Sequence, residues 1–214
     1  MDDFLDVLRN DHHQFDSGKL EDHFGNNPIE LLSKWLREAT EKGVSEPNAI
    51  SISTIGLDER PHSRIVYLRE LVEEGFVFYT NYESNKGKAI AHHPAIHGLL
   101  FWPGLERQIS ISGFAEKVPA EMSDAYFNSR PRGSQLGAWA SQQSSILNSR
   151  QELEDRVSYF SEKFPLEVPR PPHWGGYLVV PDRFEFWQGR PSRLHDRIVF
   201  EKNGNSWNIY RLNP

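Results

Sequence analysis

The feature that most constrains this chain is a series of short segments in which apolar and polar residues alternate, joined by short turns. Residues 50–55 alternate with a period of two, which is typical of a half-buried strand. Two more strands are predicted over residues 64–69 and 76–80, after turns at 56–61 and 73–75. Connections this short indicate antiparallel neighbours.

The strand pattern continues to the C-terminal end of the sequence. Asn203-Gly204 is a strong hairpin signal between the last two segments. Many short strands with a few helices predict a mainly β fold with helices, arranged as a small antiparallel barrel. Such a barrel is often too narrow for a large ligand, so a ligand is expected outside it, at a subunit seam. The further strands are predicted near residues 96–102, 107–118, 175–181, 183–188, 197–202 and 206–212.

Helices interrupt this series and carry clear boundary signals. Asn26 or Asn27 can cap the first helix, and Gly43 suits its end. Helices are predicted to begin near Pro28, at Ser84, after Pro119 and at Ser149, where residues 149–152 fit a capping box.

Length and composition narrow the classes of protein. The 214 residues fit one domain over residues 1–214, with a helical N-terminal segment over about residues 1–43. The absence of cysteine excludes disulfides, thiolate nucleophiles and cysteine-ligated metals, and it suits the cytoplasm. A net charge of −6 argues against a nucleic-acid partner, and no apolar run is long enough to span a membrane. The N-terminus has no signal-peptide pattern.

Several familiar sites are missing from the sequence. It contains no P-loop, no Rossmann glycine pattern and no Gly-x-Ser-x-Gly elbow. The pairs His12-His13 and His92-His93 are adjacent residues, which point about 100° apart on a helix. We therefore expect no metal site.

Basic and polar side chains instead gather at strand ends and helix starts, which suggests small anionic ligands in an acidic protein. Residues 84–88 open a helix with hydroxyl, amide and lysine donors, as an anion site does, although ordinary capping with surface lysines is an alternative. Residues 129–139 are dense in donors and glycines. Arg193 and His195 follow a strand that ends in Trp187, whereas Asp196 is expected to be a salt-bridge or turn residue.

Nine sequence blocks carry a resemblance to a known family. In this combination and order, from about Leu8 to Pro214, the chain resembles the pyridoxamine (pyridoxine) 5′-phosphate oxidase family of vitamin B6 metabolism. The resemblance implies a split antiparallel β-barrel of the FMN-binding type, and a homodimer with FMN at the interface. The blocks are residues 64–68, 78–81, 105–108, 129–132, 135–139, 143–145, 174–176, 185–189 and 193–197.

The resemblance also implies a cofactor site. FMN is the expected cofactor, with its phosphate contacted by Arg64 and Lys86. The remaining implied flavin-site residues are Ile65, Val66, Tyr67, Leu68, Arg69, Tyr79, Thr80, Asn85, Gln108, Gln143, Ser144, Trp187 and Arg197.

A substrate site and a reaction follow from the same resemblance. Tyr126, Arg130 and Ser134, with Arg69, are implied to hold the substrate phosphate. Arg193 and His195 are the implied catalytic residues over the pyridine ring, positioned by Leu194. The implied reaction converts pyridoxamine 5′-phosphate or pyridoxine 5′-phosphate to pyridoxal 5′-phosphate. Oxygen is the acceptor and yields hydrogen peroxide, and the amine also yields ammonia when water hydrolyses the imine.

Two kinds of alternative remain open. One is a related split-barrel flavoenzyme, such as a phenazine-pathway oxidase or a flavin reductase; the phosphate set Tyr126, Arg130 and Ser134 favours a phosphorylated B6 substrate instead. The other is a non-catalytic binder of FMN or pyridoxal phosphate, for which Arg193 and His195 would serve no purpose.

Three positions depart from the family pattern. Arg69 stands where lysine is usual, which keeps the charge and changes its geometry. Asn85 stands where arginine is common, which removes one positive charge from the expected FMN phosphate site. His12 falls where the family has a tyrosine after Arg9, and the longer spacing argues against a lid formed by Arg9 and His12.

Overall fold

The computed structural model describes residues 9, 14–20 and 24–214. His12, His13 and most of the helical segment expected before residue 24 lie outside these residues. The contacts divide the chain into two compact units. The first unit comprises Met1–Pro47, Phe101–Ser110 and Phe184–Pro214, and the second comprises Asn48–Leu100 and Ile111–Arg183. The single domain expected over residues 1–214 stays a prediction.

The described residues form a mainly β structure with helices. The helices are α1 (Pro28–Glu41), α2 (Asn85–His92), α3 (Ala120–Ser129), α4 (Arg132–Ala140) and α5 (Arg150–Lys163). The strands are β1 (Ala49–Ile55), β2 (Pro61–Tyr67), β3 (Glu70–Val72), β4 (Gly75–Asn81), β5 (Ala95–Trp102), β6 (Arg107–Lys117), β7 (Trp174–Gln188), β8 (Asp196–Asn203) and β9 (Ser206–Arg211). Of these helices, none is long and apolar enough to cross a bilayer.

Hydrogen bonds join the strands in the order β2-β1-β5-β6-β7-β4-β3, with β8 paired to β7 and to β9. In the second unit, β1 pairs antiparallel with β2 from Ala49 opposite Tyr67, and β4 pairs antiparallel with β7. β2 also comes into contact with β4, although the two lie towards opposite ends of the strand order. The sheet therefore curls into a half-barrel, which confirms the predicted fold class.

The core of the second unit follows from the alternation seen in the sequence. Ile50 and Ile52 of β1 are fully buried, as are Phe76 and Phe78 of β4. Each such side chain contributes roughly 1.5–3 kcal/mol by leaving water. The first residue of β4 has to be glycine, because a Cβ at Gly75 would lie 1.8 Å from the carbonyl oxygen of Val179.

The first unit is built on α1 and the C-terminal hairpin. Asn27 caps α1 by accepting a hydrogen bond from the Ile29 amide at 2.9 Å, and Gly43 follows the helix with a φ of +73°. Trp35 of α1 packs edge-on against Phe186, with 5.3 Å between ring centroids. β8 and β9 form the predicted hairpin, with Asn203 opposite Ser206.

Three local predictions need correction. β7 is one strand where two were predicted, because Pro181 lies just past the Trp174–Val179 ladder with β4, so its missing N–H removes no bond to that strand. β3 was not predicted, because its three residues are too few to show an alternating pattern. α4 was missed because its two glycines lower helix propensity.

The predicted capping box at α5 is half formed. The hydroxyl of Ser149 accepts a hydrogen bond from the Glu152 amide at 3.1 Å. The Glu152 carboxylate accepts instead from the amide of Asn148, at 3.3 Å, rather than from that of Ser149.

Candidate functional site

A cavity of about 710 Å³ in the second unit gathers many of the predicted site residues. Its walls come from β2, β4 and the starts and faces of α2, α3 and α4. Leu68 is buried beside it, and Asn85 and Ser144 are hydrogen-bonded to each other. The predicted residues that line the cavity are Arg64, Ile65, Val66, Tyr67, Arg69, Tyr79, Thr80, Lys86, Tyr126, Arg130, Ser134 and Gln143.

Lys86 and Arg64 form one group of cations in this cavity, hereafter the Lys86 cluster. The Lys86 ammonium donates to Gln143 Oε1 at 2.9 Å and to Thr80 Oγ1 at 3.3 Å. The Arg64 guanidinium donates to Thr54 Oγ1 at 2.9 Å. Burial and the nearby Arg64 charge lower the pKa of Lys86 to about 8. Within the described part of the chain, neither cation has a carboxylate partner, so the cluster suits an incoming anion.

The start of α2 adds its partial positive charge to the Lys86 cluster. Ser84 caps the helix, accepting from the Gly87 amide at 3.3 Å. The Asn85 amide donates to Ser144 Oγ at 3.2 Å, and Ser144 adopts a left-handed φ of +73°. A helix N-terminus carries a partial positive charge that favours an anionic ligand.

Arg130 belongs to a second group, hereafter the Arg130 cluster, built on stacked aromatic rings. Tyr79 stacks on Tyr126 with 3.9 Å between centroids, and Trp174 lies parallel to both rings. The Arg130 guanidinium lies over Trp174, 4.6 Å from the ring centroid. Burial, together with the charge of Arg69, lowers the pKa of Arg130. Its Nη1 is buried and finds no hydrogen-bond partner among the described residues.

Tyr79 is tied to the wall of the cavity by a carboxylate. Its hydroxyl donates to Glu70 Oε1 at 2.5 Å, which fixes the ring against Tyr126. Burial raises the pKa of Tyr79, and the hydrogen bond to Glu70 raises it further. Tyr79 therefore stays neutral and acts here through its ring face.

The remaining predicted site residues lie in the first unit. His195 lies beside Trp187, with 4.6 Å between ring centroids, and its Nδ1 accepts from the Arg190 amide at 3.1 Å. Burial and the charge of Arg193 lower the pKa of His195. Arg193 has a left-handed φ of +60°, Leu194 is exposed and Gln108 is half-buried on β6.

Charged neighbours order the end of this first-unit group. Arg197 donates to the largely buried Glu185 at 2.7 Å. Asp196 accepts from Arg211 at 3.3 Å and lies 3.8 Å from Arg190. Asp196 thus makes salt bridges, as its expected role requires.

Two residues of the Arg130 cluster were not predicted as site residues. Trp174 belongs to a matched sequence block, which was the only signal for it. Glu70 lies on the unpredicted strand β3, and no local pattern links it to Tyr79. Among the described residues, no group of three or more His, Asp or Glu side chains is placed to hold a metal.

Known proteins are similar to this chain in sequence and in architecture. Residues 36–164 match the family described as pyridoxamine 5′-phosphate oxidase, and residues 174–214 match a pyridoxine 5′-phosphate oxidase C-terminal dimerisation region. A pyridoxine/pyridoxamine 5′-phosphate oxidase of Burkholderia multivorans is 51% identical over 191 residues, covering 88% of this chain and 89% of the relative. The similarly named Haemophilus influenzae protein is 51% identical over 188 residues, covering 88% and 90%.

Solved structures of related proteins have a similar fold. PhzG from Burkholderia lata, in complex with tetrahydrophenazine-1-carboxylic acid, is 31% identical with a TM-score of 0.86, covering 91% of this chain and 98% of that one. A pyridoxamine 5′-phosphate oxidase-related, FMN binding protein of Nostoc punctiforme is 15% identical with a TM-score of 0.69, covering 87% and 98%, and shares the fold. The chain belongs to the pyridoxamine 5′-phosphate oxidase family of oxidoreductases, as its sequence motifs predicted.

Proposed function

We propose that this chain oxidises pyridoxamine 5′-phosphate and pyridoxine 5′-phosphate to pyridoxal 5′-phosphate, with FMN as cofactor and oxygen as acceptor. The observation that carries the proposal is one cavity with two separate cation groups, the Lys86 cluster and the Arg130 cluster. A phosphorylated cofactor and a phosphorylated substrate need one group each. The names of relatives about 50% identical support the same activity.

The Lys86 cluster fits the phosphate of FMN. Lys86 and Arg64 supply charge without a carboxylate partner in the described residues, and the start of α2 adds a partial positive charge. When bound, FMN would supply the redox centre that takes two electrons from the substrate and passes them to oxygen. Proposed flavin contacts also come from the β2 backbone and its end (64–69) and from Tyr79, Thr80, Asn85, Gln108, Gln143, Ser144, Trp187 and Arg197.

The Arg130 cluster fits the phosphate of the substrate. The buried Nη1 of Arg130 lacks a partner in the described chain, and a phosphate oxygen would satisfy it. Tyr126 and Ser134 line the same cavity and carry hydroxyl donors, and Arg69 adds charge. These residues bind and orient the substrate, and orientation is the main catalytic contribution we assign to the protein.

Arg193 and His195 are proposed to bind the pyridine ring. Arg193 offers a planar cation that stacks on an aromatic ring. His195 offers a hydrogen bond to a ring substituent. No general base is assigned, because the redox chemistry belongs to the cofactor.

The proposed assembly is a homodimer with FMN at its interface. The match of residues 174–214 to a region described as a dimerisation region supports the dimer. The cytoplasm is the proposed location, since a chain without cysteine suits a reducing compartment.

The likeness to PhzG raises a second candidate, oxidation of a phenazine precursor. Oxygen consumption by the FMN-loaded protein separates the two candidates. We expect consumption with both phosphorylated B6 substrates, little with unphosphorylated pyridoxamine, and little with a reduced phenazine carboxylic acid. A preference for the phenazine substrate would replace the proposal, and a colourless protein that cannot be loaded with FMN would contradict the cofactor.

Arg193→Ala tests the ring-binding role. We expect a loss of turnover of roughly 10- to 30-fold with FMN content unchanged, because a cation stacked on a ring away from water contributes about 2 kcal/mol. Steady-state rates and the flavin absorbance per chain provide the two measurements. Lys202→Ala, which removes an exposed cation on β8, is the control. An unchanged rate in Arg193→Ala would remove the role.

A further inference from the structure

A short segment before α1 lies against the proposed ring-binding residues of the first unit. This segment, residues 14–20, is called the N-terminal strap. Its Phe15 meets His195 edge-on, with 5.1 Å between centroids and 87° between ring planes. Phe15 also meets Trp187 edge-on, at 5.7 Å and 89°. Edge-to-face pairs at these distances are attractive beyond the area that they bury.

Backbone hydrogen bonds hold the N-terminal strap in this position. The Ser17 amide donates to Glu106 Oε2 at 2.8 Å, and Glu106 is buried. The Leu20 amide donates to Asp196 Oδ2 at 3.1 Å. Two of the strap's amides are thus bound by carboxylates, which make stronger acceptors than neutral groups.

The backbone under Phe15 is shaped to admit the ring. A Cβ at Gly189 would lie 2.6 Å from Phe15 Cδ1 and 2.9 Å from the Cβ of Glu106. Glycine at 189 therefore leaves the volume that Phe15 fills.

The contacts of His195 also decide which ring nitrogen carries its proton. A backbone amide can only donate, so Nδ1, which receives the Arg190 N–H at 3.1 Å, is an acceptor. In the neutral ring the proton is then on Nε2. Phe15 and Trp187 pack against the ring, and Nε2 has no hydrogen-bond partner among the described residues, so Nε2 can donate to a ligand.

We propose that Phe15 is a positioning residue for His195, and that the Arg190 N–H and the Phe15 ring hold His195 as a neutral hydrogen-bond donor through Nε2. The acceptor is an oxygen substituent on the pyridine ring, such as the ring hydroxyl oxygen of the B6 substrates. This inference rests on the proposed function, in which His195 binds that ring.

Kinetics of Phe15→Leu against a matched control test the positioning role. Phe24→Leu is the control, because Phe24 precedes the same helix and packs edge-on against Phe200 at 5.9 Å. We expect Phe15→Leu to lower kcat/KM roughly three- to tenfold, the range of an aromatic pair, and Phe15→Tyr to restore it. Melting temperature and FMN content should match those of Phe24→Leu. Equal kinetics in the two leucine variants would overturn the proposal.

Nitrogen-15 NMR of the histidine rings is a second readout that does not depend on activity. The His195 signal is identified by its loss in His195→Gln. We expect the Nε2–H tautomer in the wild-type holoprotein and a mixture of tautomers in Phe15→Leu. An Nδ1–H tautomer in the wild type would overturn the proposal even if the oxidase activity is present. Conversely, an inactive wild type with the Nε2–H tautomer and its loss in Phe15→Leu would refute the proposed function and keep the positioning.

Discussion

The two cation clusters of the second unit both offer positive charge to an anion, but different contacts hold the cations in place. Lys86 and Arg64 donate to neutral oxygens of Gln143, Thr80 and Thr54, so their positions are fixed by hydrogen bonds. Arg130 instead lies over a ring face, and its Nη1 is unpaired among the described residues. An anion at the Lys86 cluster competes with existing bonds, whereas an anion at Arg130 completes a missing one.

The difference has an energetic consequence. A buried donor without a partner costs about 1–3 kcal/mol, which the cation–π contact with Trp174 offsets only in part. Binding an anion at Arg130 removes that cost, while binding at Lys86 gains only the difference between a charged acceptor and the neutral acceptors already present. We therefore expect substitutions at Arg130 to have the larger effect.

Arg130→Ala should have the largest effect. We expect kcat/KM for pyridoxamine 5′-phosphate to fall roughly 100-fold, because a charge-assisted contact of about 3 kcal/mol is lost. FMN content should not change, which flavin absorbance per chain measures. Arg150→Ala removes an exposed arginine of α5 and serves as the control. A loss of FMN together with activity would mean that the two clusters do not bind separate phosphates.

Lys86→Met should have an intermediate effect, on the cofactor. We expect the FMN dissociation constant of the apoprotein to rise roughly 10- to 30-fold, from the loss of one charged donor to the phosphate. Riboflavin, which lacks the phosphate, should bind both proteins equally. Fluorescence quenching of each flavin gives the constants, and Lys88→Met on the same helix is the matched control. Equal weakening for riboflavin would remove Lys86 from the phosphate site.

The pH dependence of FMN binding should show the smallest effect. Because the pKa of Lys86 is lowered to about 8, its ammonium is charged below that pH and neutral above it. FMN affinity should therefore weaken roughly fivefold as the pH rises from 7 to 9, where the phosphate itself is already a dianion. The measurement is a fluorescence titration at each pH. The slope should vanish in Lys86→Met, and a slope that persists there would assign the titration to another group.

Local sequence signals predicted much of the fold. The alternation of residues 50–55, the Asn27 cap of α1 and the Asn203-Gly204 hairpin each depend on a few neighbouring residues. β3 and α4 were missed because three residues are too few for a pattern and because glycines weaken a helical one. Chain-distant contacts such as Tyr126 against Trp174 leave no local signal, since each residue alone suggests ordinary core packing.

The candidate site could likewise be predicted only where the signal lies in neighbouring residues. Family motifs named most residues of the 710 Å³ cavity, because each motif is a run of neighbouring residues. They did not reveal that Arg130 Nη1 lacks a partner, or that Glu70 holds Tyr79. Those properties depend on which side chains meet in space, and only the structure supplies that.

The absence of a side chain at Gly189 makes the N-terminal strap an intramolecular ligand with a receptor of its own. Phe15 and any side chain at residue 189 would compete for one volume, so the two are mutually exclusive occupants. Tethering to α1 gives the strap a high effective concentration over that volume. Adding a methyl group at 189 would therefore displace the Phe15 ring, so the environment of His195 can be changed without touching the histidine.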